Sequence, residues 1–256
     1  MKESKRAPFK DKPLRYPGQS LDDQIQNLLD KMDEISIVPL MLILLAFMEW
    51  SRWYFKSVVS LSTAILFSLF ALIASIVTVV RIRRLRRLRR QLAIGRDGER
   101  VVGQCLEDLR VKGYRVLHDI VVKDFNIDHV VISPKGIYTI ETKTVSKPLR
   151  GESVISFEGE KILINGIKPD RDPIIQARAQ AAWIKDFLKS ALGKNLSVRP
   201  VVIFPGWFVK GSPNCSDVWV LNEKALPAFI ERELTLVSPD DLQAITFQIS
   251  QYIRAQ

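Results

Sequence analysis

Cysteine is nearly absent: the 256 residues contain two, Cys105 and Cys215, far apart and without metal-ligand spacing. Neither a disulfide framework nor a zinc site is suggested, and a reducing, cytoplasmic location fits most of the chain. Histidine is as rare, with only His118 and His129. Both read as packed or hydrogen-bonded strand residues rather than ligands. Charge is missing from residues 57–80, and acids are missing from residues 81–90. The first apolar run begins near residue 35 and lacks a small-residue cleavage site, which argues against an N-terminal signal peptide.

The uncharged stretch of 24 residues exceeds the roughly 20 needed to cross a bilayer as a helix. Residues 57–80 are therefore expected to be transmembrane. An earlier apolar run, 35–48, reaches only 14 residues before Glu49, a length more typical of a buried or re-entrant helix. Trp50, Trp53 and Tyr54 follow it as an interfacial aromatic belt, and Glu49 and Arg52 stand three apart, where they can pair. Residues 35–54 thus read as a short or tilted first span of a transmembrane helical hairpin covering 35–80, turning outside the cytoplasm at 49–56. Six bases within residues 1–15 and seven arginines within 81–90 hold both termini in the cytoplasm by the positive-inside rule. The expected address is a bacterial-type inner (plasma) membrane, crossed twice.

The net charge of +10 invites a nucleic-acid reading, but it is unevenly placed. The run RIRRLRRLRR at 81–90 accounts for seven of those charges, and from residue 91 onward 22 bases face 20 acids. The arginines, with Ile82, Leu85, Leu88 and Leu92 as an apolar seam, form a juxtamembrane helix over 81–94 suited to anionic lipid. Phosphate contact with a nucleic acid is the alternative use of the same charges.

Residues 1–34 read as a Lys/Arg/Pro-rich flexible tail followed by a short amphipathic helix at 20–34, with Leu21, Ile25, Leu28, Leu29 and Met32 at helical spacing. From residue 95 to 256 the pattern is that of an α/β domain with a C-terminal helical extension. Gly95 and Gly98 are expected to break the helix, which resumes over 99–111. Strands are predicted at 114–122, 127–133 and 137–144, and a hairpin at 152–157 and 161–165 around Glu158, Gly159 and Glu160. A long helix opens at Asp172 and Pro173 and ends near 192, before Gly193. A buried strand at 200–204, a Gly/Pro-rich loop at 205–213, a strand at 218–221 and helices at 223–232 and 239–254 complete the order. Trp183, Ile184, Phe187 and Leu188 read as core. Trp207 and Phe208, beside Lys210, are candidates for base stacking, weighed against an ordinary hydrophobic plug.

One stretch breaks the pattern. In NIDHVVISPKGIYTIETK, residues 126–143, Asp128 and Glu141 lie inside strands of otherwise apolar, β-branched composition. Burying a carboxylate in such a strand is unfavourable unless a cation or hydrogen bonds compensate it. Alternate strand residues share a face, so Glu141 and Lys143 point together. Pairing of 127–133 with 137–143 through the turn at Ser133, Pro134, Lys135 and Gly136 brings Asp128 to the same place. The alternative for Glu141 and Lys143 is an edge-strand ion pair of little energetic weight.

Five pieces in order, GRDGER at 95–100, NIDHVVI at 126–132, PKGIY at 134–138, ETK at 141–143 and QARAQ at 176–180, resemble the NERD (nuclease-related domain) family from about residue 95 to 204. NERD domains are similar to PD-(D/E)XK nucleases, so the resemblance implies a restriction-endonuclease-like mixed sheet flanked by helices. It assigns Glu99 as the helix acid, Asp128 as the metal-binding aspartate, Glu141 and Lys143 as the E-x-K pair, and Gln176 as the polar residue of the closing helix, with Gln180 one turn on. Asp128, Glu141 and Glu99 would bind Mg2+ or Mn2+, a hard cation that takes oxygen ligands. The implied activity is metal-dependent phosphodiester hydrolysis of nucleic acid, expected to be DNA, on the cytoplasmic side of the membrane.

Two readings from other classes stand beside it. One is a catalytically inactive, membrane-tethered nucleic-acid-binding or adaptor module, which the near-neutral charge of the domain favours. The other is a membrane interaction protein whose hairpin drives homo-oligomer formation.

Overall fold

A computed structural model describes residues 12–56, 60–148, 153–158, 160–211 and 217–255. The first eleven residues of the expected tail, the beginning of the second apolar run, residues 152 and 159 of the expected hairpin, Pro213 and Cys215 lie outside them. The chain divides into two compact units, Leu21–Ile94 and the combination of Met1–Ser20 with Gly95–Gln256.

The first unit is helical. Helix α1 runs Gln19–Tyr54 without interruption, so the amphipathic segment and the first apolar run form one element rather than two. Helix α2 runs Leu61–Val111. Within the unit the small side chains Ala46, Ala64 and Ala71 are buried, together with Pro39, while Leu44, Phe47, Leu66, Phe70 and Ile73 are exposed. Trp50 donates its indole N–H to Ser68 Oγ at 2.9 Å, and the expected pair of Arg52 and Glu49 forms at 3.0 Å. Among the described residues α2 is the one helix long and apolar enough to cross a membrane; the first run does not reach that length and composition.

The second unit is a three-layer α/β domain. Its main sheet has the order β1(Arg115–Val121), β2(Asn126–Ser133), β3(Gly136–Thr142), β6(Val198–Ile203), β8(Trp219–Leu221). The first three strands are antiparallel and the last two add in parallel. On one face the C-terminal part of α2, through Val102, Leu106 and Leu109, joins α4(Leu226–Arg232) over Val131, Tyr138 and Ile140. On the other, α3(Pro173–Leu192) and α5(Pro239–Ala255) place Ile184, Leu188, Ile245 and Ile249 over Val130, Ile132 and Ile137. Both faces are covered, so β2 and β3 are buried residue after residue. Trp183 and Phe187 are half-buried and stack on each other, and Tyr252 completes that cluster between α3 and α5. α3 begins at an Asp172 cap, whose carboxylate accepts from Ile174 N–H, and ends at Gly193 in the left-handed region.

A second, smaller sheet has the order β5(Lys161–Ile164), β4(Val154–Glu158), β7(Phe208–Gly211). β7 falls where a Gly/Pro-rich loop was expected; its parallel pairing with β4 supplies the order that local propensity does not.

The helix break expected at Gly95 and Gly98 does not occur, because α2 passes straight through both. Gly98 serves a close approach instead: a Cβ there would lie 1.7 Å from Thr144 Oγ1 and 2.9 Å from Thr144 Cβ. The Gly98→Ala substitution is expected to lower stability by about 1–3 kcal/mol through overpacking, and Thr144→Ala to recover part of that loss, as read from urea unfolding of the single and double variants.

Candidate active site

The acids come together where pairing between β2 and β3 stops. The last Cα pair is His129 with Ile140, one step before Asp128 and Glu141. Beyond it, Asp128 Oδ2 accepts from the Thr142 backbone N–H at 2.7 Å, while Lys143 N–H turns to Ile203 O of β6 at 2.8 Å. By strand parity both acids share the face of Ile137 and Ile132, toward α3.

Glu141 is held on both oxygens. Lys143 Nζ lies 2.5 Å from Oε1, and Gln180 Nε2 lies 2.5 Å from Oε2 while also donating to Asn126 O at 2.8 Å. Gln176 Oε1, one helical turn earlier, accepts from Lys143 Nζ at 2.9 Å. Gln180 is fully buried, whereas Lys143 and Gln176 are partly exposed, so the ammonium is the charged part of the group that meets solvent. The pairing is therefore not the exposed edge-strand contact that was the alternative.

Glu99 enters from α2 and is buried, with its Oε2 lacking a partner. Burial raises its carboxyl to about 8, helped by the negative charges of Asp119 and Glu141 and opposed by the Gly18 backbone N–H and Lys143. Asp128 is likewise held well above the usual carboxylate range by burial, then by Glu141 and Glu99; the Thr142 N–H and Lys143 oppose the shift. These mutual effects place Glu99, Asp128, Glu141 and Lys143 in one electrostatic neighbourhood. Among the described residues, however, no three His, Cys, Asp or Glu side chains are assembled as a ready-made metal-ligand group.

A second polar node was not foreseen. Asp119 is completely buried and sits at φ +51°, a strained conformation for a residue other than glycine. Its carboxylate accepts from Arg15 Nε at 2.6 Å, from Ser20 N–H at 2.9 Å and Oγ at 2.5 Å, and from Asn126 Nδ2 at 2.7 Å. Residues 15–20, expected to be a flexible tail, are thus stapled to β1, and through Asn126, which also donates to Ser20 Oγ, to β2, the strand that carries Asp128. Pro17 packs against Gly103, where a Cβ would lie 2.5 Å from its Cγ. The Asp set among the apolar residues of β1 was a signal in the sequence, but its partner lay 104 residues away.

The histidines form their own chain beside this node. His118 Nε2 lies 3.0 Å from Glu107 Oε1, and the two Nδ1 atoms of His118 and His129 are 2.9 Å apart. Burial depresses both imidazoles. With His118 donating to Glu107, its Nδ1 accepts from His129 Nδ1–H, and His129 is a packed strand residue. Trp207 is buried and donates to Val145 O at 3.1 Å, as a hydrophobic plug; Phe208 is exposed.

A family model described as a nuclease-related domain, NERD, matches residues 94–205. No curated protein matches the chain. Among solved structures, SfsA of Pyrococcus furiosus in complex with Ca2+ aligns at 17% identity and a TM-score of 0.25, over 60% of this chain and 52% of that one, so the chain spans about half of its length.

The raised carboxyl of Glu99 has a consequence for stability. The folded state binds this proton more tightly than the unfolded chain, so its contribution is full at acid pH and is lost as pH rises toward about 8. Glu99→Gln, which stays neutral, is expected to gain stability over the parent at pH 8 relative to pH 5. The difference is on the order of a few kcal/mol, measured by urea unfolding at both pH values.

Proposed function

We propose, from the match of residues 94–205 to a nuclease-related domain, that this is a membrane-anchored, divalent-metal-dependent nuclease acting on nucleic acid, DNA foremost, in the cytoplasm. The observation that carries the reading is the charge imbalance of the site: three neighbouring carboxylates, Glu99, Asp128 and Glu141, share one ammonium, Lys143. When all ionise, a charge of about two remains uncompensated in a buried place, which is the deficit a divalent cation fills.

The donor set suits magnesium or manganese, since it consists of carboxylate oxygens. Glu99 Oε2, buried and without a partner, is the orphaned acceptor that such an ion would satisfy. Asp128 and Glu141 would hold the ion, with Glu99 as an additional ligand; bound there, it acidifies a water and neutralises phosphate charge. The protein's own groups do the positioning. Gln180 fixes the orientation of Glu141 from one side, and Gln176 with Glu141 fixes Lys143 from the other. Lys143, partly open to solvent, is placed to meet the scissile phosphate and to stabilise the charge that develops on it.

The membrane reading is supported by the arrangement of Leu21–Ile94: small residues inside, large apolar residues outside, the inverse of a soluble helical pair. Residues 12–20 and 95–255 belong to one unit. A chain that crosses a bilayer between them must do so an even number of times, which favours two spans with both termini in the cytoplasm.

The purified full-length chain in detergent is expected to nick or degrade DNA with Mg2+ or Mn2+ and not in chelator, with Asp128→Ala and Lys143→Ala lowering the rate roughly 100-fold or more. Parent-like rates in both variants would overturn the assignment. Calorimetric binding of Mn2+, lost in Asp128→Asn with Glu141→Gln, checks the metal independently of turnover. In membranes, the protein is expected to stay in the pellet through alkaline carbonate washing; its release into the supernatant argues against the spans.

A further inference from the structure

We propose that the small sheet β5-β4-β7 is a platform for unpaired nucleotides, which feeds a single strand to the acidic site. The inference rests on the reading above that the substrate is a nucleic acid. Two neighbouring cavities lie on this sheet. One, of about 810 Å3, is lined by Val154, Ser156, Asn165, Phe208 and Lys210 among others and has no acid in its wall. The other, of about 490 Å3, is lined by Lys147, Ile167, Lys168, Asp170 and Trp207, and shares Asn165 with the first. Each is of a size that takes small ligands; by strand parity Val154, Ser156, Phe208 and Lys210 face away from the core while Ile164 and Trp207 face it, so an occupant of both rounds the end of the sheet at Asn165.

Three features select the occupant. Phe208 is 64% exposed although it lies in a strand, so its ring stands open in the cavity wall. An exposed ring with a lysine, Lys210, in the same wall is an arrangement on which bases stack, and it tolerates any sequence because every base has a flat face. A duplex keeps its base faces stacked inside and offers none to such a ring. Lys147, Lys168 and Lys210 supply positive charge against Asp170 alone, which complements a phosphate backbone. Lys147 is itself fixed, donating to Gly206 O and lying 6.0 Å over the Trp207 ring.

The platform is also joined to the site. The segment after β3 carries Lys143 and, three residues later, Ser146, which lines the second cavity with Lys147. Three residues span at most about 10 Å, so a strand lying in the second cavity begins within a nucleotide or two of the E-x-K pair.

The test uses the full chain in detergent with chelator present, so that binding is separated from cleavage. Fluorescence anisotropy is read with a labelled 12-nucleotide single strand, as DNA and as RNA, and with the matching DNA duplex. The single strands are expected to bind more tightly than the duplex. Phe208→Ala should weaken single-strand binding roughly five- to a hundredfold while duplex binding stays as it was. Lys168→Ala and Lys210→Ala should each reduce the slope of log affinity against log salt by about 0.7. Circular dichroism confirms folding of the Phe208 variant, whose side chain is mostly outside the core. Unchanged affinity in Phe208→Ala, or an equal loss on the duplex, overturns the platform; so does a Phe208-dependent affinity for anionic vesicles or an acidic peptide with none for oligonucleotides. If the strands bind through Phe208 but no metal supports cleavage, the platform stands and the nuclease assignment falls. If cleavage proceeds at parent rates without Phe208, the reverse holds.

Discussion

A carboxylate inside a sheet that is covered on both faces must be compensated where it stands, and Glu141 is compensated twice. Lys143 holds one oxygen and Gln180 the other. This arrangement requires α3 to lie over β3 in one register, because Gln176 and Gln180 reach Lys143 and Glu141 from successive turns. It also requires β3 to leave its antiparallel partner at Ile140 and continue alongside β6, which frees the end of the strand for polar contacts. Core packing by Ile184 and Leu188 and the capping of α3 by Asp172 are thus in the service of two side-chain bonds. Were Glu141 left unpaired, the burial of its charge would disfavour the very sheet that carries it.

The second acid, Asp128, is served differently. It has one backbone donor, the Thr142 N–H, and its charged neighbours are the carboxyls of Glu141 and Glu99 and the ammonium of Lys143. The fold therefore gathers three carboxyls near one ammonium and leaves part of their hydrogen-bonding capacity unmet. Structural ion pairs tend to close their hydrogen bonds; sites that bind something leave a deficit.

Much of this was legible from the chain. The two acids in apolar strands, the turn at Pro134 and Lys135, the long helix from Asp172 to Gly193 and the hairpin of β4 and β5 follow from alternation, capping and turn chemistry, which act over a few residues. What was not legible depends on distance along the chain. The fixing of residues 15–20 by Asp119 joins positions 104 apart, and β7 owes its order to β4, over fifty residues earlier. Gly98 misled for a related reason: glycine in a helix suggests a break, whereas here its missing side chain makes room for Thr144, which only the tertiary structure brings near. Gln180 was foreseen only as a possible neighbour of Gln176, and it proved to be the one that touches the acid.

The staple at Asp119 makes the domain discontinuous in sequence. A fragment starting after the arginine run would retain every strand of the sheet but would strip a fully buried aspartate, already in a strained backbone conformation, of its guanidinium and its serine. The loss would be felt at Asn126, two residues from Asp128, and at Glu99, which would forfeit the Gly18 amide. Folding inherits the same dependence: residues 15–20 close their contacts only after the strand that carries Asp119, 104 residues beyond Arg15, has formed. The segment before the two long helices and the sheet after them are thereby made obligate companions.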